Sequence, residues 1–428
     1  MIVHKFGGTS IGSTDRFARV ADIILDHHGQ GDGAGAPGGA VVVSAMSGVT
    51  DQLIAGARAA SEGRDTAYRK IKADLLSRHL DVVETLLDKR RERLKVGGLI
   101  EDQLHDLELL YRSIAVLGEL TARGRDAVSS FGEQISVHIL AAVLRERDAR
   151  ARALSSTELI VTNAHFGAAS PLMDPTRRRL QQRVRPLIEQ GVLPVITGYI
   201  GATEDGLTTT LGRGGSDFSA AVIGTGLDAD EVWIWSDVDG ILTADPNIVP
   251  QARTLTELSY SEAAELAYVG AEVLHPKTIR PVIQRKIPLR IVNSFNPAHA
   301  GTLIVESPNT DRQVLPAIIC LRILGREFTN GREDDPVRLG VEEKVSTVSV
   351  VGPPGWNRKR NGIAAQAFSA LGECETRVIA VAQAATERSV SFCIPEDQLA
   401  GTVRFLHRKL GLEDGPRTSP PRSLCTTG

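Results

Sequence analysis

The chain alternates short, continuously apolar runs with longer stretches in which apolar residues recur every three or four positions. The runs are Met1 to Phe6, Ala40 to Ser44, Leu159 to Thr162, Val192 to Tyr199, Glu231 to Ser236 and Pro288 to Asn293. Continuous apolarity is what a strand covered on both faces requires, so these runs predict a mainly parallel sheet sandwiched by helices. Between Thr66 and about Leu144 the spacing is helical: Leu76, Leu80, Val83 and Leu87, then Leu107, Leu110, Ile114 and Leu117, read as core stripes with Arg and Glu on the solvated face. In such an α/β sheet the ligand lies beyond the carboxyl ends of the strands. The polar motifs that follow the strands are therefore where chemistry is expected.

The pattern changes near Ser307. The stretch from Pro308 to Lys344 is rich in charge and turn residues except for Val314 to Ile323. Beyond it come strand Val345 to Val351, helix Gly362 to Leu371, strands Arg377 to Ala384 and Ser389 to Pro395, and helix Glu396 to Leu410, a small α+β unit in β-α-β-β-α order. A ferredoxin-like sheet needs four strands, and Val314 to Ile323 is expected to supply the fourth. The predicted organisation is a catalytic domain over 1–307, a linker over 308–344 whose strand 314–323 joins the small sheet, the small domain over 345–411, and a disordered tail over 412–428. His28 to Ala40 reads as a flexible insertion. Its Gly33, Gly35 and Gly38 match GxGxxG but precede a strand instead of joining strand to helix, which excludes a dinucleotide fingerprint.

Composition narrows the class of ligand. With 428 residues, 42% hydrophobic and 24% charged, the chain is long enough for two or three domains. A net charge of -3 and 4% aromatics argue against nucleic acid, which wants basic stripes and stacking rings, so a small polar ligand is expected. Cys320, Cys374, Cys393 and Cys425 are far apart and have no metal-ligand spacing, so no metal centre and no disulfide framework is predicted. Met1 to Phe6 already reads as a strand instead of a leader, and no run approaches a membrane span. The expectation is a cytoplasmic protein without membrane partners.

The most informative motif is Lys5-Phe6-Gly7-Gly8-Thr9-Ser10, a lysine and two glycines at the end of the first strand. Paired glycines let backbone N–H groups approach a phosphate, Thr9 and Ser10 add hydroxyl donors, and the helix from Asp15 to Ile24 favours an anion. A Walker A loop is excluded, because Ser13 stands where its lysine belongs. Gly212-Arg213-Gly214-Gly215-Ser216-Asp217 opens another helix with a fork-shaped cation, a hydroxyl and a carboxylate, an assembled anion site. Asp217 there either caps the helix or serves the site by holding Mg²⁺ or orienting a lysine. Glu133, in Phe131-Gly132-Glu133, either complements a helix dipole or binds an ammonium group. Ser44 to Thr50 places hydroxyls on a turn, as helix caps or as holders of a reacting carboxylate. Trp235 to Gly240 with Thr243 to Pro246 reads as turns long enough for a nucleotide loop.

Together, KFGGTS at the start, VSAMSGVTD at 42–51, FGEQIS at 131–136, TTTLGRGGSDFSAA at 208–221, WSDVDGILTADP at 235–246 and GAEVLHPKT at 270–278 resemble aspartate kinase, of the amino-acid kinase superfamily, over about 300 residues in the right order. The 345–410 region resembles an ACT domain, with Gln383 and Glu387 in its turn. The resemblance implies the amino-acid kinase fold plus an ACT-type domain, and transfer of the γ-phosphoryl group of MgATP to the β-carboxylate of L-aspartate, the entry to lysine, threonine and methionine synthesis. It implies that Lys5 and Asp217 are catalytic, and that Lys5, Gly7, Gly8, Ser10, Ser236, Asp237, Asp245 and Lys277 contact ATP. Arg213 would clamp the α-carboxylate and Glu133 the α-ammonium. Ser44, Thr50, Tyr199 and Ser216 would complete the aspartate site. Positioning and charge neutralisation suffice for such chemistry, since a carboxylate nucleophile is already ionised at neutral pH.

The chain also departs from the pattern. Leu242 replaces a frequent tyrosine, Asn247 a usual arginine and Glu272 a common lysine, changes expected to weaken ATP binding. The 121 residues beyond Ser307 leave room for one ACT unit where the family carries two. The expected consequences are weak or absent inhibition by lysine or threonine and a homodimer joined partly through 314–323 and 345–410. A kinase of another amino acid, or a catalytically silent subunit with the same fold, is the alternative.

Overall fold

The computed structural model describes residues 1–29, 39–269, 274–309, 317–322, 344–352, 362–383 and 388–413. The insertion 30–38, Glu272, Glu387, most of the 308–344 linker and the tail beyond 413 lie outside the described residues.

Strands β1 (Ile2–Phe6), β2 (Gly39–Val43), β3 (Ala151–Leu154) and β4 (Leu193–Thr197) precede a short antiparallel pair, β5 (Ile200–Ala202) and β6 (Thr208–Thr210). Then come β7 (Glu231–Ser236), β8 (Glu257–Ser259), β9 (Leu289–Asn293) and β10 (Thr302–Val305). Eight of them form one sheet in the order β3-β4-β2-β1-β7-β9-β10-β8, parallel throughout except for the β9–β10 pair. β1, which leads into the paired glycines, is central, flanked by β2 and β7, and its register pairs Phe6 with Val43 and Trp235. β2 is buried at every position, as its unbroken Val run predicts. The lysine and glycines at the end of β1 thus emerge between two neighbouring strand ends, the expected place for a ligand.

One expectation fails here. Leu159 to Thr162 is not a strand. Its burial comes from isolated bridges of Val161 to Ala202 and Thr162 to Pro171, while the strand paired with β4 is the more polar Ala151–Leu154. The helical region divides into Asp65–Leu86, Arg90–Leu117, Ala122–Ser129 and Phe131–Glu146, and the expected stripe holds except at its end. Val83, Leu87, Leu107 and Ile114 are buried and Leu76, Leu80 and Leu110 pack against that core, joined by Leu75, His79 and Val82, whereas Leu117, at the end of its helix, is 74% exposed. Within Ala122–Glu146 an 18-residue window has a mean hydropathy of 1.4, apolar enough to cross a membrane. Ile135, Val137 and Ile139 to Leu144 are instead spent in the core of this unit.

The chain falls into two compact units, and the division does not follow sequence order. The first comprises Met1–Ile241, Thr256–Tyr260 and Glu272–Ser307, and the second Leu242–Leu255, Ser261–Ala271 and Pro308–Gly428. In the second, β11 (Ala317–Arg322), β12 (Val345–Val351), β13 (Ala380–Gln383) and β14 (Ser389–Pro395) form an antiparallel sheet in the order β11-β12-β14-β13. β11 therefore occupies the fourth place in the sheet, paired from Ala317 to Arg322 with β12. Helices Ile363–Glu373 and Leu399–Lys409 cover the face carrying Val348, Val350 and Phe392. The same core takes in Ala244 and Val249 from the recruited loop, and Ile318 N–H donates to Thr243 O at 2.8 Å.

Candidate active site

The ends of β1, β2 and β6 and the first turns of three helices enclose a cleft of about 480 Å³ in the first unit. Lys5 reaches it from β1 and is only 8% exposed. Its ammonium is ion-paired with Oδ1 of Asp217, in the first turn of helix Gly215–Leu227. That helix is entered through Gly214 and has no side-chain cap. Capping therefore does not account for Asp217, whose Oδ1 faces the lysine ammonium.

Two glycines are fixed by geometry. Gly214 has a φ of 69°, and a Cβ there would lie 2.5 Å from the Cβ of His275. A Cβ on Gly8 would lie 2.9 Å from Ala45 O, so the first glycine loop and the turn after β2 lie in backbone contact. That contact brings Ser44 and Thr50 to the cleft. The helix Val49–Ser61 starts from Gly48 without a side-chain cap, so their hydroxyls are not committed as caps.

Glu133 closes the floor of the cleft. It is 3% exposed, and its Oε2 has no hydrogen-bond partner among the described residues. Burial raises its pKa to about 8, opposed by hydrogen bonds from the backbone of Ala45 and of Glu133 itself. Nearby, Tyr199 adopts a φ of 65°, rare for a bulky side chain. Burial raises its pKa, while hydrogen bonds with Thr210 and Ser129 pull the other way. Arg213 and Ser216 line the same cleft, Arg213 exposed at its rim and without an ion-pair partner among the described residues.

Other expected residues stand elsewhere. Ser10 is buried, its hydroxyl 2.9 Å from that of Ser294 and its N–H donating to Gly7 O, so neither donor is free to cradle a phosphate. Gly7 sits over the end of β7, its N–H 3.4 Å from Trp235 O. Ser236 and Asp237 follow at that strand end, the Ser236 hydroxyl donating to Asp237 at 3.2 Å. Lys277 opens helix Pro276–Arg285, and its N–H donates to Nδ1 of His275 at 3.2 Å. Asp245 belongs to the second unit, where its Oδ1 accepts from the backbone and side chain of Asn247 at 2.9 and 3.0 Å.

The structure adds Arg125 and Asp126, which the motifs did not single out. Asp126 is 1% exposed, and its carboxylate accepts from Gly167 N–H, Thr210 N–H and Thr210 Oγ1 at 2.8, 2.9 and 2.8 Å. No motif or spacing in the sequence marks it: Asp126 and Glu133 belong to different helices, on either side of Ser129 and Ser130.

The chain matches the amino acid kinase family over residues 1–293 and an ACT domain over residues 348–410. Aspartokinase 1, chloroplastic, of Arabidopsis thaliana is 36% identical over 325 residues, 75% of this chain and 54% of the relative. The bifunctional aspartokinase/homoserine dehydrogenase 2, chloroplastic, of Zea mays is 33% identical over 406 residues, 95% of this chain and 41% of the relative. The chain thus spans about half the length, or less, of these curated relatives. Among solved structures, E. coli aspartokinase III in complex with aspartate and ADP (R-state) aligns with a TM-score of 0.76 at 27% identity, covering 96% of this chain and 100% of that one. The lysine and aspartate complex (T-state) of E. coli aspartokinase III gives 0.73 at 28%, covering 96% and 99%.

Proposed function

Because this chain belongs to the amino acid kinase family, we propose that it is an aspartate kinase, transferring the γ-phosphoryl group of ATP to the β-carboxylate of L-aspartate, the step that leads toward lysine, threonine and methionine. The observation that carries this reading is Glu133. A buried carboxyl on the cleft floor, with one oxygen unpartnered among the described residues, costs stability unless a ligand completes it. An α-ammonium group is the natural complement, and the unpaired guanidinium of Arg213 in the same cleft suits the α-carboxylate. A ligand gripped at both groups extends its side-chain carboxylate along the cleft, where the Ser44 and Thr50 hydroxyls can hold it.

The chain's remaining work is electrostatic. The β-carboxylate is ionised and needs no base. As the γ-phosphoryl group passes to it, negative charge spreads over the phosphoryl oxygens, and Lys5 is the cation that meets it. Asp217 holds that ammonium in place and keeps it from swinging onto the acceptor. The backbone at Gly7 and Gly8, free of side chains, lets phosphates approach. Among the described residues no group of three acidic, His or Cys side chains could hold a metal alone. A Mg²⁺ ion carried by the nucleotide fits such a site, with Asp217 as the carboxylate that would contact it, and it would neutralise triphosphate charge.

The decisive test is ADP release with L-aspartate, L-glutamate and N-acetylglutamate as acceptors, with hydroxylamine trapping of the acyl phosphate. Aspartate-dependent ADP release with stoichiometric hydroxamate is expected. Release that ignores aspartate, or that prefers another acceptor, would overturn the reading.

A further inference from the structure

Arg125 is exposed on the wall of the cleft and, like Arg213, has no ion-pair partner among the described residues. The ion pair found within the cleft, Lys5 with Asp217, leaves both guanidiniums uncompensated. The neighbouring Asp126 does not neutralise Arg125 by pairing, because its oxygens already accept from Gly167 and Thr210. The backbone under Arg125 is fixed: its N–H donates to Thr121 O at 2.9 Å and its carbonyl accepts from the Ser129 hydroxyl at 2.8 Å.

The placement of this cation is informative. Through Asp126, the helix Ala122–Ser129 is tied both to Gly167 and to β6, the strand that leads into the Arg213 loop. The Gly167 carbonyl also backs that loop, 3.2 Å from where a Cβ of Gly212 would lie. Arg125 and Arg213 therefore stand on walls locked together by one buried carboxylate. Lys5, by contrast, comes from β1, at the glycine loop. A carboxylate offers about four lone-pair sites, and one guanidinium fork uses two of them.

Resting on the aspartate kinase reading, we infer that Arg125 is a second carboxylate-binding residue of the acceptor site. It shares the α-carboxylate of L-aspartate with Arg213, and Asp126 is the positioning residue that keeps the two cations in register. Such a site selects for the free α-carboxylate. Two forks aligned on one carboxylate lose charge-assisted bonds to an α-amide, which a single rim arginine would discriminate far less.

The test measures equilibrium binding of L-aspartate by calorimetry, independently of turnover, and steady-state kinetics with L-aspartate and its α-amide. Arg125→Gln is expected to raise the Kd and KM for aspartate about ten- to a hundredfold, leave kcat within about twofold and the KM for ATP unchanged, and leave the parameters for the α-amide as they were. Arg125→Lys should recover part of the loss, since it keeps the charge without the fork. Asp126→Ala, which removes the acceptor shared by two N–H groups and the Thr210 hydroxyl, should also raise the aspartate KM more than it lowers kcat. Unchanged aspartate binding in Arg125→Gln, an equal loss for aspartate and its α-amide, or an equal loss for ATP would overturn this inference alone. No aspartate binding by the unaltered chain would overturn the kinase reading and the inference together.

Discussion

Glu133 makes a quantitative prediction, because its proton and the substrate ammonium compete for one oxygen. Burial places its pKa at about 8. In the free protein at pH 7 the carboxyl is therefore about 90% protonated. An α-ammonium ion needs the carboxylate, so binding must expel that proton. About 0.9 proton should be released per aspartate bound at pH 7 and about half a proton at pH 8, with apparent affinity rising close to tenfold between pH 6 and 7. The sign of the stability effect follows from the same numbers. The folded pKa lies above the ordinary 4.5, so between those values the folded protein binds more protons than the unfolded chain. Stability falls as pH rises through that window and stays lower above it, with a ceiling of about 5 kcal/mol that local relaxation reduces. Glu133→Gln removes the dependence: it should be more stable than the parent at pH 9, lose that advantage at pH 4, and bind aspartate weakly at every pH. Calorimetry in two buffers of different ionisation enthalpy counts the protons, and denaturant melts at pH 5 and 9 read the stability. No proton release at pH 7, or full aspartate affinity in Glu133→Gln, would refute the reasoning.

Lys5→Ala and Asp217→Ala should each lower kcat by about 10²–10³-fold, far more than they raise the aspartate KM, because both act on charge that develops during transfer; equal, modest changes in both parameters would mark the pair as structural. If the ACT domain matched over residues 348–410 is the one such unit, lysine and threonine should inhibit the chain weakly or not at all, because that unit offers few walls for an effector, and the chain should sediment as a homodimer, because its sheet leaves strand β13 exposed at the edge. Micromolar inhibition by either amino acid, or a sedimenting monomer, would count against that view of the second unit.

What the sequence made legible was what local pattern encodes. β2 and β7 were found because strands covered on both faces are apolar without interruption, and the glycine motifs because close backbone contact leaves little alternative to glycine. β3 escaped because it lies at the sheet edge, where Arg152 stays exposed and the apolar run is broken. Leu159 to Thr162 looked like a strand because apolarity reports burial, and bridges bury a segment as well as a ladder does. Ser10 was misjudged for a related reason: hydroxyls after a glycine pair suit a phosphate, but its partner Ser294 lies 284 residues away. Asp126 was missed because its three donors come from two distant segments, which no spacing rule connects.

The same limit hid the membership of Leu242–Leu255, whose turn residues are plain in the sequence while its packing partners lie far along the chain. Val249 and Ala244 are 1% and 4% exposed, in one core with Val348, Phe392 and Val403. Ile318 N–H bonds Thr243 O at 2.8 Å, the Thr243 hydroxyl lies 3.0 Å from Nε2 of His407, and Arg404 Nε donates to Ile248 O at 3.2 Å. At about 1 kcal/mol for each hydrogen bond and about 2 for burying Val249, roughly 5 kcal/mol of local stabilisation depends on residues beyond Ser307. A chain ending at Ser307 keeps all eight strands of the larger sheet but loses every one of these partners. It should therefore fold its first unit while 242–255 opens, exposing Arg253 to trypsin, and exposed Ala244 and Val249 should lower its solubility. Limited proteolysis with mass spectrometry of the full and shortened chains reads this directly. Equal resistance at Arg253 in both would mean that the first unit holds the loop unaided and that the shared core contributes little.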